Sequence, residues 1–176
     1  MSLRFLSDDV ERYLPPHAAR RTVMFLWYLV VVTFVCSIGA LYSPAHDPAW
    51  WQALKKPPGM PPSWLFPPVW MVLYIAMALA AWLVWRSAPW HRTGSAQLLW
   101  WTQLILNATW MPLFFGTHRI GLAVAVIFVM IVAIGATIGA FRIHSKMAAW
   151  LLAPYLAWVG FLAVLTMQIW KLNVIR

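Results

Sequence analysis

After Asp47 the chain contains no aspartate or glutamate; its four acidic residues are Asp8, Asp9, Glu11 and Asp47. Paired-carboxylate chemistry, a carboxylate proton relay and a carboxylate metal site therefore all lack their parts. Charge of either sign is scarce, at 10% of residues, against about 25% in soluble domains. One cysteine, Cys36, lies inside an apolar run, so there is no disulfide framework and no redox compartment to infer. No nucleophile–base pair, phosphate-cradling loop, internal repeat or low-complexity segment is visible. The first residues do not read as a secretory signal, because Asp8, Asp9 and Glu11 precede any apolar segment.

Apolar surface is what the chain has in excess. Hydrophobic residues make up 63% of 176, more than a soluble core of this size can absorb, so lipid is the expected solvent. The net charge of +9 does not point to nucleic acid, because the basic residues are scattered between apolar runs as membrane-flanking charges. Five apolar runs of about twenty residues, enough to cross about 30 Å of hydrocarbon, predict spans at about 22–42, 67–86, 96–115, 120–141 and 147–170. The expected fold is an all-α integral membrane protein, a five-transmembrane-helix bundle with termini on opposite sides. Residues 1–21 read as a polar arm broken at Pro15 and Pro16, and residues 22–173 as the membrane domain. Residues 87–95 read as turn-forming, and residues 117–119 as a connection short enough to make the third and fourth spans antiparallel neighbours.

On the N-terminal side lie Arg4, Arg12, Arg20, Arg21, Arg86, Arg92, Arg142 and Lys146. Opposite them lie Lys55, Lys56, Arg119, Lys171 and Arg176. This split favours a cytoplasmic N-terminus.

The stretch from Leu54 to Trp85 organises the chain. Lys55 and Lys56 are followed by Pro57, Pro58, Pro61, Pro62, Pro67 and Pro68, with Trp64 and Trp70 among and just after them. Proline fixes φ, removes a donor and pushes its predecessor toward extended backbone. A stiff, non-helical segment is expected, with Pro67 and Pro68 suited to a helix start. Two readings stand: an aromatic, cationic lid over a ligand, or a re-entrant linker that delivers the second span.

Tryptophan is abundant, with fourteen copies. Trp27, Trp50, Trp51, Trp85, Trp90, Trp150 and Trp170 fit an interfacial belt. Trp70, Trp110 and Trp158 lie within or late in spans, where an indole N–H needs a partner; they are expected to converge on a cavity beneath the proline-rich loop. Gln103 and Asn107 share one face of the third span at i, i+4, with Trp110 at i+3 from Asn107. Their amides need partners from neighbouring helices or from a ligand. Gly135 and Gly139 form a small-residue face that allows close packing within the bundle or between two copies. The five histidines, His17, His46, His91, His118 and His144, fall in the arm or loops on both sides of the membrane. No metal cluster is expected from them, though His46 lies within reach of a ligand under the long loop.

These residues resemble the TspO/MBR family. The likeness is carried by Lys56-Pro57, Pro61-Pro62, Trp64 and Pro68-Val69-Trp70-Met71-Val72-Leu73-Tyr74. It continues through Gln103, Asn107, Trp110, Pro112, Phe114, Phe115 and Gly116, and then Pro154-Tyr155, Trp158 and Phe161. It covers about residues 22–173. The resemblance implies a five-helix bundle, usually dimeric, that binds porphyrins and synthetic isoquinoline or benzodiazepine ligands. It implies a ligand site of Trp64, Trp70, Tyr74, Asn107, Trp110, Phe114, Trp158, Phe161 and Leu162. The ligand is a porphyrin, protoporphyrin IX or haem-like, or another hydrophobic small molecule, with no cofactor required. Trp70 and Trp158 match the tryptophans tied to light-dependent porphyrin breakdown in some members. Three positions depart from the pattern. Gly59 replaces an aromatic residue of the lysine-proline motif, Leu162 a small pocket residue, and Met167 the tyrosine of the sterol motif.

The expected function is a receptor or sensor in a bacterial cell membrane that regulates tetrapyrrole or pigment metabolism. The alternatives are a porphyrin-degrading photoenzyme and a tetrapyrrole transporter; absence of intramembrane charge weighs most against an ion-coupled transporter.

Overall fold

The computed structural model describes residues 17–173, so the expectations for the polar arm lie almost wholly outside the described residues. Among the described residues six α-helices form: α1 His17–Leu41, α2 Pro48–Ala53, α3 Phe66–Trp85, α4 Trp90–Met111, α5 Ile120–His144 and α6 Lys146–Asn173. No strand occurs among the described residues. In a hydrocarbon solvent every backbone donor must find its acceptor within the segment, which favours uninterrupted helix. Among the described residues four segments are long and apolar enough to cross a membrane: Ala19–Leu41, Ser63–Trp85, Ile120–His144 and Lys146–Asn173. Helix α4, at 22 residues, is nearly as long but carries Gln97, Gln103, Asn107 and several threonines, so it is less apolar.

The long helices close into a ring. Helix α1 packs on α3 and α4, α4 on α5, α5 on α6, and α6 back on α3, with α3 also touching α4 across the middle. Alanines make the α3 contact close: Ala78, Ala80 and Ala81 are all fully buried. Small side chains let helix axes approach where no hydrophobic force drives association.

The sequence expectations need three corrections. The long loop holds a helix, α2. Asp47 caps it by accepting the Trp50 amide at 3.0 Å, and Pro48 takes a first-turn position, where its missing N–H costs nothing. Residues 90–95 are helical, because Pro89 stands at the N-cap of α4 and the first two turns bury Thr93, Ala96 and Gln97. The third long helix also changes character near its end. Pro112 has no N–H to continue the ladder, and Pro112–Gly116 widens into a π turn, with the Thr117 amide donating to the Pro112 carbonyl at 2.9 Å. That extra residue per turn turns both Phe114 and Phe115 inward, where each is buried.

Gly116 closes this turn against Tyr42 at the end of α1. A Cβ there would lie 2.7 Å from Tyr42 Cδ1, closer than van der Waals contact allows. Gly116→Ala is expected to cost about 1–3 kcal/mol of stability. Combined with Tyr42→Ala it should cost less than the sum of the two changes. Thermal unfolding of the detergent-solubilised single and double variants tests this; strict additivity would show that the two residues do not press on one another.

Candidate functional site: an aromatic groove and its clasped loop

Helix α4 supplies the polar centre of the bundle. The Tyr74 hydroxyl of α3 donates to Asn107 Oδ1 at 2.6 Å. Asn107 Nδ2 donates to the Tyr155 hydroxyl of α6 at 3.1 Å, and that hydroxyl reaches Met130 Sδ of α5 at 3.7 Å. One amide thus ties together four helices. A second amide on the same helix works nearer the other end. Tyr28 of α1 donates to Gln97 Oε1 at 3.0 Å, and Gln97 Nε2 donates to the Ala81 carbonyl of α3 at 2.9 Å. Gln103 lies between them, buried, with neither Nε2 nor Oε1 partnered among the described residues.

Aromatic rings surround this network. Trp70 stacks on Tyr74 with centroids 5.5 Å apart and meets Tyr155 edge-on at 6.3 Å. Trp110 stacks on Phe114 at 5.4 Å. Trp158 contacts Phe66 at 5.7 Å and Phe161 at 5.6 Å. The indole N–H groups of Trp110 and Trp158 are closed to solvent and have no partner among the described residues. The nine residues named from sequence therefore fall into four settings. Tyr74, Asn107, Trp110, Phe114 and Leu162 lie in the core, Leu162 with only 4% of its surface exposed. Trp70 is half-buried against the tyrosines. Trp158 and Phe161 line an open groove, and Trp64, 70% exposed, stands on a short 3-10 turn at Ser63–Leu65.

The groove runs between α3 and α6 and has a volume of about 540 Å³. Its walls are Pro61, Leu65, Val69 and Leu73 on one side, and Pro154, Ala157, Trp158 and Phe161 on the other. Val69 and Leu73 share one face of α3, and Pro154, Ala157, Trp158 and Phe161 share one face of α6, while Pro61 and Leu65 come from the segment that leads into α3. The composition is apolar and aromatic throughout, and the size falls within the usual range of about 300–1,000 Å³ for small-molecule sites.

The loop that supplies Pro61 and Leu65 is fastened at two points. At the first, Trp50 lies flat on His118, with centroids 4.1 Å apart and an angle of 16°. It also meets the edges of Phe114 and Phe115. His118 Nε2 stands 3.6 Å from Asp47 Oδ2, and the His118 backbone takes φ 56° to reach this position. At the second point, the Lys55 amide donates to Asn173 Oδ1 at 2.9 Å, and Asn173 Nδ2 returns a bond to the Lys55 carbonyl at 3.0 Å. Lys56 turns back on the loop: its ammonium donates to the Trp51 carbonyl at 2.5 Å and sits 4.8 Å from the Trp51 ring centroid. Trp50 and Trp51, read from sequence as belt residues, are thus parts of this fastening. His46 is exposed beside Tyr42. Sequence reasoning missed Phe66, His118 and Asn173; only the Asp47-Pro48 cap gave a local signal that the loop is folded.

A ring of long apolar helices around a polar post, with an aromatic groove under a fastened loop, defines a multi-pass integral membrane protein. The TspO/MBR family model matches residues 26–171, and the chain belongs to that family. It is 33% identical over 151 residues to protein CrtK of Rhodobacter capsulatus, covering 85% of this chain and 92% of the relative. It is 36% identical over 150 residues to the tryptophan-rich sensory protein of Cereibacter sphaeroides, covering 85% and 91%. The translocator protein of Bos taurus is 36% identical over 141 residues, covering 79% and 83%.

Replacing Asn107 by leucine leaves the buried Tyr74 hydroxyl without its acceptor and the Tyr155 hydroxyl without its donor. Asn107→Leu is expected to lower stability by about 1–2 kcal/mol. Tyr74→Phe should cost less, and far less again in the Asn107→Leu background. A double-mutant cycle on unfolding in detergent measures this coupling; zero coupling would remove the hydrogen bond from any role in stability.

Proposed function

We propose that this protein is a membrane receptor for porphyrins and related flat hydrophobic ligands, acting in the regulation of tetrapyrrole or pigment metabolism in a bacterial cell membrane. The observation that carries this reading is the α3–α6 groove, wide, apolar and aromatic, with Trp158 and Phe161 in its wall. Family membership and the printed names of the relatives, sensory and translocator proteins, support it. Flat ligands gain from stacking on aromatic faces without needing charge complementarity. Porphyrin titration of the purified protein, followed by its absorption band and by tryptophan quenching, is the direct test. No saturable binding would end this reading.

A second reading is favoured by where Trp70 and Trp158 sit. Trp70 is in ring contact with both Tyr74 and Tyr155, and Trp158 lines the groove with an unpartnered N–H. In this reading the two indoles donate electrons to a photo-excited porphyrin, and phenylalanine cannot replace them. Trp70→Phe and Trp158→Phe are each expected to keep porphyrin binding within about tenfold, or about 1.4 kcal/mol. Light-driven loss of bound porphyrin should fall sharply in both, with darkness and Trp27→Phe as controls. Equal loss rates in all proteins would leave these tryptophans as walls of a receptor.

The fifth crossing belongs to this proposal. Helix α4 spans the membrane because its amides are spent inside the ring on Tyr28, Ala81, Tyr74 and Tyr155. Residues 22–173 then form one five-span domain. The chain pairs as a homodimer through the uncovered face of α5, where Gly135 and Gly139 meet nothing within 4 Å. In a Cys36→Ala background, cysteines at Ser7 and Val174 should label from opposite sides of the membrane. Gly135→Cys should cross-link two copies. Same-side labelling excludes five spans, and absence of cross-linking removes this dimer face.

A further inference from the structure

A second groove lies at the other end of the bundle, away from the clasped loop. Helix α5 ends with Arg142 in its last turn, the chain reverses at Ser145, and α6 starts at Lys146. Between the two helices is a depression of about 310 Å³ lined by Ile138, Arg142, Lys146, Ala149, Trp150 and Ala153. Ile138 and Arg142 share one face of α5, and the other four share one face of α6. The two alanines leave the floor open, and Trp150, 76% exposed, forms a flat wall. Ile143 and Met147 on either side of the turn are also exposed, so this is surface that meets lipid.

The charges at its mouth have no match among the described residues. Among the described residues the only carboxylate is Asp47, which faces His118 at the opposite end. Two other cations at this end are engaged: Arg20 lies 5.8 Å from the Trp85 ring centroid and Arg86 4.5 Å from that of Trp82. Arg142 and Lys146 have no such ring contact among the described residues. Instead they flank an apolar channel. A cationic rim over an apolar floor is complementary to one kind of molecule in a membrane, an anionic headgroup joined to an acyl chain.

We propose that this groove holds one anionic phospholipid. Its phosphate is gripped between the Arg142 guanidinium and the Lys146 ammonium, and one acyl chain lies along Ala149, Ala153 and Ile138 against Trp150. Arginine supplies a planar fork of donors and lysine a point charge, a pairing suited to phosphate oxygens. The inference depends on membrane insertion and not on the porphyrin reading.

The test uses the full chain, stripped of lipid in detergent and titrated with phosphatidylglycerol or phosphatidylcholine, with lipid retention counted by native mass spectrometry. One phosphatidylglycerol should bind in preference to phosphatidylcholine. The double variant Arg142→Gln/Lys146→Gln should weaken it by about tenfold or more. Ala153→Leu, which keeps both charges and fills the floor, should weaken it as well, while Arg92→Gln should not. Melting temperature and size-exclusion profile establish that each variant is folded. Glycerol phosphate, the headgroup without a chain, should not compete. Competition by glycerol phosphate, or retention unaffected by Ala153→Leu, would reduce the site to surface attraction for any anion and overturn the proposal. So would an increase in phosphatidylglycerol binding on neutralising Asp8, Asp9 and Glu11, which would make the acidic arm the occupant.

Discussion

The amide of Asn107 is the constraint on which the bundle depends. Lipid gives helices no hydrophobic reason to associate, so packing and interhelical hydrogen bonds must do it. Asn107 accepts from Tyr74 and donates to Tyr155, and Gln97 does the equivalent for Tyr28 and the Ala81 carbonyl. Both amides belong to α4. The polar residues that make α4 the least apolar of the long helices are those that fix its neighbours' rotation and depth. Removing them would make the helix more lipid-like and the bundle less determined.

With the centre fixed, the two ends can differ. At the loop end, Pro112 breaks the α-helical ladder, the π turn points Phe114 and Phe115 inward, and Trp50 closes over them. Gly116 lets Tyr42 approach, and Asn173 holds Lys55. These contacts place Pro61 and Leu65 at the groove that Trp158 and Phe161 complete. Proline limits how far such a loop can move between its two fastenings. At the opposite end the helices finish in cations and short turns. There is no aromatic covering loop among the described residues, and the α5–α6 groove stays open beside Arg142 and Lys146.

Two grooves therefore rest on one scaffold and offer different physics. The aromatic groove offers polarisable faces and no charge, which suits a broad planar ligand. The basic groove offers charge at its rim and little depth, which suits an amphiphile held at the membrane surface.

The sequence by itself determined the solvent, the four most apolar helices and the family. Apolar runs, flanking cations and the scarcity of acids are local properties that survive any tertiary arrangement. It also placed Gln103 and Asn107 on one helical face, since a period of 3.6 residues needs no partner to be read. It held the signal for α2 in Asp47-Pro48, though the surrounding prolines obscured it. Tertiary structure decided the rest. Asn107 is partnered while Gln103, one turn away, is not; Phe161 reaches the groove while Leu162 turns to the core. Trp50 stacks on a histidine far along the chain. Such pairings depend on how far each helix is rotated and how deep it sits against its neighbours, and helical periodicity is blind to both.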